Sequence, residues 1–272
     1  MKLQEKFALL KKEGQGALIG YITLGDPTPE QSFEIAQSLI NSGSVDVLEL
    51  GIPFSDPIAD GPVIQAAVDR SLKAGMNTDI AFELTERLEK KVPIVYLTYY
   101  NIVLQHGVDR FAADCSRAGV SGIIIADLPF EESAEVRKAC AGHGVDYINI
   151  VTPNTSAERM KMILRDASGF VYVVSNMGVT GAHARLPAGV KETIRRAIEN
   201  AGDVPVAVGF GISSPGHVRA LMEMGASGAI VGSAIVDMIA KNASSRELRE
   251  FVTSLKAATR AEYPEIRGIQ AT

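Results

Sequence analysis

Glu49 is an acidic residue within a run of sequence that is otherwise apolar. The run, VDVLELG at 45–51, is typical of a buried β-strand, and a proline-rich loop that carries Asp56 and Asp60 follows it. Side chains alternate along a strand, so Glu49 is expected on the face opposite its two leucine neighbours, near the end of the strand. A carboxyl group that is partly shielded from water has a raised pKa and can carry a proton at neutral pH. This pattern therefore predicts a group for acid–base chemistry.

Each of these three carboxylates also has a structural interpretation. Glu49 could form an ion pair with a neighbouring strand, but no basic residue lies at the inner end of a predicted strand. Asp60 could be the N-cap of a helix whose first turn contains Pro62. Its functional alternative is a second carboxylate that orients a substrate and stabilises developing positive charge. Asp56 precedes Pro57 and is interpreted as a turn residue.

Apolar, β-branched runs recur at fairly even spacing along the chain and predict eight strands, at 17–24, 45–51, 92–99, 121–127, 145–152, 169–175, 204–210 and 228–233. Stretches with helical spacing of apolar residues lie between them, and several of these end in glycine. Regular alternation of this kind indicates a parallel sheet with crossover helices.

The number of strands and the length of 272 residues favour an α/β fold, a single-domain (βα)8 TIM barrel over residues 1–272. An open, doubly wound sheet is the alternative, but no GxGxxG follows the first predicted strand and no GxxxxGK[ST] occurs. Residues 1–13 form a predicted extra N-terminal helix that would cover the bottom of the barrel, and residues 261–272 are expected to form a flexible tail. In such a barrel the site lies at the C-terminal ends of the strands, which is where Glu49 falls.

Glycine-containing segments follow the last three predicted strands, at 178–181, 209–211 and 232–233. TIM barrels often bind phosphate there through backbone N–H groups and the N-terminus of a helix. No lysine or arginine lies in these segments, so amides and a helix dipole would carry the binding. The structural alternative is that glycine only permits tight turns. Several aromatic residues near strand ends could line a slot for a flat apolar ring, namely Tyr21, Tyr99, Tyr172 and Phe210.

Composition and charge argue against several classes of function. The net charge is −5 without a basic cluster, which disfavours nucleic acid and anionic membranes as partners. No uncharged apolar run reaches the length of about 18 residues that a membrane span requires. The four histidines are scattered without metal-ligand spacing, and Cys115 and Cys140 are interpreted as free thiols in a reducing compartment. The residues alone thus predict a cytoplasmic enzyme that holds a small phosphate ester without a metal or cofactor.

Seven short blocks closely resemble the tryptophan synthase alpha subunit family, in the same order along the chain. They are YITLGDP (21–27), LELGIPFSDPIADGP (48–62), LTYYN (97–101), ADLP (126–129), GVTG (178–181), GFGISSP (209–215) and VGSAIV (231–236). The resemblance extends over residues 5–260, and the longest block is nearly a fingerprint of the family. It implies retro-aldol cleavage of indole-3-glycerol phosphate to indole and glyceraldehyde 3-phosphate. It also implies that a pyridoxal-phosphate-dependent beta subunit takes the indole for L-tryptophan synthesis, within an alpha2beta2 heterotetramer.

The resemblance also implies roles for individual residues. Glu49 would protonate indole C3 and help to deprotonate the glycerol hydroxyl, while Asp60 would stay ionised, hold the indole N–H and stabilise the cationic intermediate. The phosphate would be bound by Gly181, Gly211, Gly232 and Ser233. The indole pocket would be lined by Tyr21, Leu97, Leu128, Tyr172 and Phe210. Thr180 would close against Asp60 when its loop folds over the substrate, and the loop from Pro53 to Asp60 would communicate with the beta subunit.

Two positions depart from the pattern of the family. Asn176 stands where many relatives have arginine, and Tyr21 stands where phenylalanine is common. Two other functions remain as alternatives. Another phosphate-binding barrel, such as an indole-glycerol-phosphate synthase or a phosphosugar isomerase, usually has a catalytic lysine or a Glu–His pair on strand ends, which the sequence lacks. A barrel that binds a phosphate ligand and regulates a partner without useful catalysis is disfavoured by the retention of both Glu49 and Asp60.

Overall fold

Nine β-strands lie in the part of the chain that the computed structural model describes, which comprises residues 2–174, 188–209 and 211–260. They are β1 (Ala17–Thr23), β2 (Val47–Gly51), β3 (Ile94–Thr98), β4 (Val120–Ile125), β5 (Asp146–Tyr147), β6 (Asn149–Val151), β7 (Val171–Val174), β8 (Val206–Gly209) and β9 (Gly228–Val231). Seven of the predicted runs correspond to one strand each. The run at 145–152 contains both β5 and β6.

The strands form one parallel sheet in the order β5-β4-β3-β2-β1-β9-β8-β7-β6. Its two edges, β5 and β6, flank Ile148, and the N–H of Ile148 still donates to the Ile123 carbonyl at 2.9 Å. The first half of this run therefore pairs with β4 and the second half with β7. The two edges of the sheet meet within one run of chain, so the predicted TIM barrel is confirmed, with its fifth strand split in two.

Helices alternate with the strands, as the periodicity predicts. Within the described ranges these are α1 (Leu3–Lys12), α2 (Pro29–Asn41), α3 (Pro62–Lys73), α4 (Thr78–Arg87), α5 (Tyr100–His106), α6 (Val108–Ala118), α7 (Ala134–Gly142), α8 (Ala157–Arg165), α9 (Ala188–Asn200), α10 (Pro215–Glu223), α11 (Ser233–Ala240) and α12 (Ser245–Ala257). A short 3-10 helix spans Phe130–Glu132. Among the helices described, none has both the length and the apolar character needed to cross a bilayer.

The interior of the barrel is filled by apolar side chains from alternate strand positions, such as Val47, Val95 and Ile124. Helix α1 joins this cluster from the N-terminal end of the strands, because its Leu3 and Phe7 are buried there. The Phe7 ring lies 5.7 Å from the ring of Phe170, centroid to centroid. The extra N-terminal helix thus contributes its apolar face to the bottom of the barrel.

A second, larger apolar layer lies between the strands and the surrounding helices. Leu48 and Leu50 belong to this layer, whereas Val47 points into the barrel. Because side chains alternate along β2, Glu49 points inward with Val47, as the sequence predicts. Glu49 lies opposite Tyr21 of β1 on one side and Val95 of β3 on the other. The sheet register therefore determines which side chains surround the buried carboxyl group.

Candidate active site

A cavity of about 180 Å³ opens at the C-terminal ends of the strands and contains both candidate catalytic residues. Eight of the residues predicted from the sequence line it: Tyr21, Glu49, Asp60, Leu97, Tyr172, Gly211, Gly232 and Ser233. They come from β1, β2, β3, β7 and the segments after β2, β8 and β9. Parallel strands end at the same edge of a barrel, so residues far apart in sequence meet here.

Glu49 is buried in this cavity without a compensating charge. The residue is 1% exposed, and its Oε2 atom has no hydrogen-bond partner in the part of the chain that the structure describes. Burial, assisted by the nearby charge of Asp60, raises the pKa of the Glu49 carboxyl to about 8. The alternative of an ion-paired structural glutamate has no support among the described residues, since no cation contacts this side chain. A pKa in this range favours the protonated form of Glu49 at neutral pH.

Asp60 lies at the rim of the cavity, in the segment between β2 and α3. Helix α3 begins at Pro62 with Gly61 as its N-cap, and no side chain caps it, so the N-cap interpretation of Asp60 is wrong. The Asp60 carboxylate instead accepts a hydrogen bond from the Tyr99 hydroxyl at 3.0 Å. Burial raises the pKa of Asp60, and the bond from Tyr99 opposes that rise. Burial thus acts against the ionised state that the family resemblance implies.

Tyr99 holds the segment around Asp60 through three contacts. Its hydroxyl donates to Asp60 and accepts from the backbone N–H of Ala59 at 3.1 Å. Its ring stacks on Phe54, with centroids 5.1 Å apart and an angle of 26° between the planes. Tyr99 is the residue before α5, which is anchored by a bond from the Tyr100 N–H to the Asp127 carboxylate at 2.7 Å. The end of β3 therefore fixes the acidic segment that follows β2.

The segments after β8 and β9 present backbone groups for an anion to the same cavity. Gly232 is the N-cap of α11, and Ser233 is its first residue, so the positive end of that helix dipole faces the cavity. Gly211 contributes backbone with φ of +39°, a conformation that side chains disfavour. These three residues lie in the same cavity as Glu49 and Asp60. The predicted phosphate residue Gly181 lies outside the described residues, as do Thr180 and Phe210.

The apolar part of the cavity differs in detail from the sequence prediction. Leu128 is absent from the lining and packs in the layer between strands and helices, because the chain turns after β4 ends at Ile125. The sequence reasoning missed five residues that do line the cavity: Ala59, Gly61, Ile64, Ile212 and Ile230. Gly209, which also lines it, belongs to the glycine segment predicted at 209–211. Strand alternation could have found Ile230, which lies on the inner face of β9 with the barrel interior cluster.

Larger grooves lie at the other end of the barrel. Two of them have volumes of about 690 and 750 Å³ and are lined by α1 and by the segments that precede the strands. Among the described residues, neither groove has a buried carboxyl group without a partner beside a helix N-terminus. The cavity at the C-terminal ends of the strands has both, so it is the better candidate for the active site although it is smaller. Among the described residues, no group of three or more histidine, cysteine or acidic side chains is arranged to hold a metal ion.

Comparison with known proteins matches this arrangement to one family. A family model described as "Tryptophan synthase alpha chain" matches residues 7–263. The tryptophan synthase alpha chain of Methanosarcina acetivorans is 45% identical over 257 residues, which cover 94% of this chain and 93% of that protein. That of Methanopyrus kandleri is 47% identical over 253 residues, covering 93% and 91%.

Solved structures give the same result. A structure of Mycobacterium tuberculosis tryptophan synthase aligns with a TM-score of 0.88 at 34% identity, over 95% of this chain and 98% of that chain. A chain of the tryptophan synthase a2b2 complex from Pyrococcus furiosus aligns with a TM-score of 0.84 at 38% identity, over 90% and 99%.

Proposed function

We propose, from the premise that this chain belongs to the tryptophan synthase alpha chain family, that Glu49 and Asp60 carry out the reaction of that family in the cavity at the barrel mouth. The reaction is the retro-aldol cleavage of indole-3-glycerol phosphate to indole and glyceraldehyde 3-phosphate, which makes the protein a carbon–carbon lyase. One observation supports the assignment of Glu49 and Asp60 to this reaction. A buried carboxyl with a raised pKa and no partner among the described residues faces the same cavity as a second carboxylate and a helix N-terminus.

Glu49 supplies the proton for the bond-breaking step. Transfer of its proton to C3 of the indole ring leaves a positive charge on the ring nitrogen. The bond between C3 and the glycerol carbon then breaks, its electron pair returns to the ring, and the glycerol hydroxyl loses its proton to become the aldehyde. The ionised Glu49 can help to take up that proton. A pKa of about 8 makes Glu49 both protonated at neutral pH and able to release the proton.

Asp60 stabilises the positive charge that this transfer creates. A carboxylate near the ring nitrogen can accept its N–H and offset the cation. Burial raises the pKa of Asp60 in the free cavity, but a cationic ring beside it would lower that pKa again and favour the ionised form. The hydroxyl of Tyr99 holds the carboxylate at the cavity rim before the substrate binds. Acid–base transfer and electrostatic stabilisation together require no covalent intermediate.

The phosphate group of the substrate would bind where the segments after β8 and β9 line the cavity. Gly211, Gly232 and Ser233 would hold it through backbone N–H groups, the Ser233 hydroxyl and the N-terminus of α11. Tyr21, Leu97 and Tyr172 would contact the indole ring. The roles of four further residues, Gly181, Thr180, Phe210 and Leu128, rest on the family resemblance alone.

The partner is a tryptophan synthase beta subunit, which carries pyridoxal phosphate and receives the indole in an alpha2beta2 heterotetramer. Two exposed apolar residues support a partner: Ile58 in the segment before Asp60 is 81% exposed, and Leu104 of α5 is 51% exposed. Both follow strands whose C-terminal ends form the cavity. Cys115 and Cys140 are buried free thiols, which fits a reducing compartment, so we place the reaction in the cytoplasm.

The test is indole release from indole-3-glycerol phosphate by the purified protein, with and without a tryptophan synthase beta subunit. We expect slow release by the chain alone and faster release with the beta subunit. Glycerol phosphate should inhibit release by competing for the phosphate side of the cavity. A folded protein that binds the substrate but releases no indole in either mixture would support the regulatory alternative instead.

A further inference from the structure

We propose that Gln65 of α3 is a positioning residue for Asp60. Its side-chain amide donates to the backbone carbonyl of Asp60 at 2.8 Å and thereby holds the residue whose carboxylate lies at the rim of the cavity. Gln65 is outside the lining of the cavity, so it acts through Asp60 and not on the substrate. The inference rests on the proposed function in that Asp60 is the charge that stabilises the cationic ring.

The side chain of Gln65 extends the hydrogen bonds of α3 toward the cavity by one residue. Its backbone N–H donates to the carbonyl of Gly61, the N-cap, at 2.9 Å, which is the first bond of the helix. Its Nε2 donates to the carbonyl before that, which belongs to Asp60. In the part of the chain that the structure describes, this is the one hydrogen bond that the Asp60 carbonyl accepts. The backbone of Asp60 is therefore tied to the helix that follows it.

Asp60 is also held from the end of β3. The Tyr99 hydroxyl donates to the Asp60 carboxylate at 3.0 Å and accepts from the N–H of Ala59 at 3.1 Å. A bond to the carboxylate alone would still allow the backbone to move around it. The bond from Gln65 fixes the other end of the same residue. Both bonds together define where the carboxylate lies, and the rate of a reaction is sensitive to small displacements of such a group.

Helix α3 has a fixed position on the barrel, so a bond from it can position a neighbour. Arg70 donates through Nε and Nη2 to the two oxygens of the buried Asp26 carboxylate, at 2.7 and 2.9 Å. The hydroxyl of Ser71 donates to the carbonyl of Leu24. Asp26 and Leu24 both lie in the segment that follows β1. The helix is thus anchored to the C-terminal end of β1, whereas Asp60 follows β2.

The alternative is that Gln65 only stabilises the start of α3, since its side chain is exposed. The two roles predict different results for one substitution. Methionine has nearly the length and the helix propensity of glutamine but no N–H group. Gln65→Met therefore removes the bond to Asp60 and retains the helix. A positioning role predicts a lower kcat in a protein of normal stability, and a structural role predicts a lower stability with a normal kcat.

The first measurement is kcat and KM for indole-3-glycerol phosphate with the beta subunit present, together with the midpoint of urea unfolding of the chain. The matched control is Gln31→Met, because Gln31 is an exposed glutamine in the first turn of α2 whose side chain accepts from Thr28, the N-cap of its own helix. We expect kcat to fall about two- to tenfold in Gln65→Met. KM should change less, since the positive ring forms only after proton transfer. The midpoint should stay at the wild-type value, and Gln31→Met should match the wild type in kcat and KM.

The second measurement does not depend on activity. The N–H of Ala59, which donates to the Tyr99 hydroxyl, reports whether the segment before Asp60 is held. Its hydrogen exchange should be about two- to tenfold faster in Gln65→Met than in the wild type, while exchange inside α3 stays the same.

Either an unchanged kcat or an unchanged exchange rate at Ala59 in Gln65→Met would overturn the assignment. A lower unfolding midpoint with a wild-type kcat would establish the structural role instead, and an equal fall of kcat in Gln31→Met would show that the loss is not specific to Asp60. A wild type that releases no indole, in a protein whose Ala59 exchange still responds to Gln65→Met, would contradict the proposed function and not the positioning of Asp60.

Discussion

Two buried carboxyl groups lie three positions apart in the chain and have opposite surroundings. Asp46, just before β2 at the bottom of the barrel, is 3% exposed and accepts from the Leu18 N–H at 2.8 Å. Lys256 of α12 lies 2.7 Å from its Oδ2, and Lys6 of α1 lies 3.5 Å from its Oδ1. Glu49, at the other end of β2, is as deeply buried but contacts no cation among the described residues.

The contrast separates a carboxylate that stabilises the fold from one that is available for chemistry. Removing a charge from water is expensive unless opposite charges and hydrogen bonds replace the solvent. Asp46 has those partners, and they connect the first and last helices to the barrel, since Lys256 also donates to the Gly16 carbonyl at 3.0 Å. Glu49 has none of them within the described ranges, so burial favours the form of its carboxyl group that keeps the proton. We therefore expect the side chain of Glu49 to lower the stability of the fold, whereas Asp46 raises it.

Glu49→Gln should have the largest effect on activity. The amide keeps the shape of the side chain but cannot transfer the proton, so we expect kcat to fall about 10²- to 10⁴-fold. Single-turnover indole release measures this loss, with glycerol phosphate binding as the control for an intact site. A variant that retains more than a tenth of wild-type kcat would remove Glu49 from the proton-transfer step.

Asp46→Asn should have the opposite effect, a loss of stability without a loss of chemistry. The substitution leaves Lys6 and Lys256 buried near a neutral group, which we expect to lower the free energy of unfolding by about 3 to 5 kcal/mol. Urea denaturation measures the change, and kcat per folded molecule should stay at the wild-type value. If the variant unfolds like the wild type, the three charges at the bottom of the barrel do not stabilise the fold.

Stability should fall with rising pH in the wild type through a contribution from Glu49 that Glu49→Gln lacks. The folded pKa of Glu49 is raised to about 8, whereas the unfolded chain has the ordinary value near 4.5, so the folded state binds the extra proton between these pH values. The wild type therefore loses stability as the pH rises through this window. Above pH 8 we expect Glu49→Gln to be more stable than the wild type by roughly 1 to 4 kcal/mol.

Denaturation midpoints at pH 5 and pH 9 would measure that difference between the two proteins. The same group predicts the pH dependence of catalysis: kcat/KM should fall as the pH rises above about 8, by about tenfold per pH unit, because the protonated form is lost. A gap in stability that is the same at both pH values would mean that Glu49 is ionised in the folded protein.

Tyr99→Phe should have the smallest effect. It removes the bond to Asp60 and the acceptor for the Ala59 N–H, while the ring can still stack on Phe54. We expect kcat/KM to fall about three- to tenfold, since a typical intramolecular hydrogen bond contributes about 0.5 to 1.5 kcal/mol. Inhibition by glycerol phosphate should not change, because the hydroxyl of Tyr99 bonds to Asp60 and Ala59 and not to the N-terminus of α11 in the part of the chain that the structure describes. A matching loss of glycerol phosphate binding would indicate a general distortion instead.

The parts of this molecule that local pattern determines could be predicted from the sequence. Alternation along VDVLELG places Glu49 inside the barrel, and the regular recurrence of strand and helix signals indicates the barrel itself. The split of the run at 145–152 could not be seen, because it depends on pairing with β4 at one end and β7 at the other. Those pairings are tertiary contacts that leave no periodic signal in the run.

In the cavity, too, local sequence predicts some features, whereas others depend on tertiary contacts. Asp60 and Gly61 are both acceptable N-caps, so local sequence could not decide between them. The Asp60 carboxylate instead accepts a hydrogen bond from the hydroxyl of Tyr99, 39 residues away, and Gly61 is the N-cap of α3. Leu128 was assigned by its place in a motif, whereas its packing is determined by the turn after β4. Residues such as Ile64 enter the cavity from a helix, and their contribution requires the packing of that helix.

The protonation state of Glu49 is the measurement that tests the account most directly. Infrared difference spectra between the wild type and Glu49→Gln would isolate the carbonyl stretch of the protonated carboxyl group. The account predicts that this band is present at pH 7 and disappears as the pH rises through about 8. A Glu49 that is already ionised at pH 6 would contradict it, since a buried carboxylate would then have a compensating partner and no proton to give.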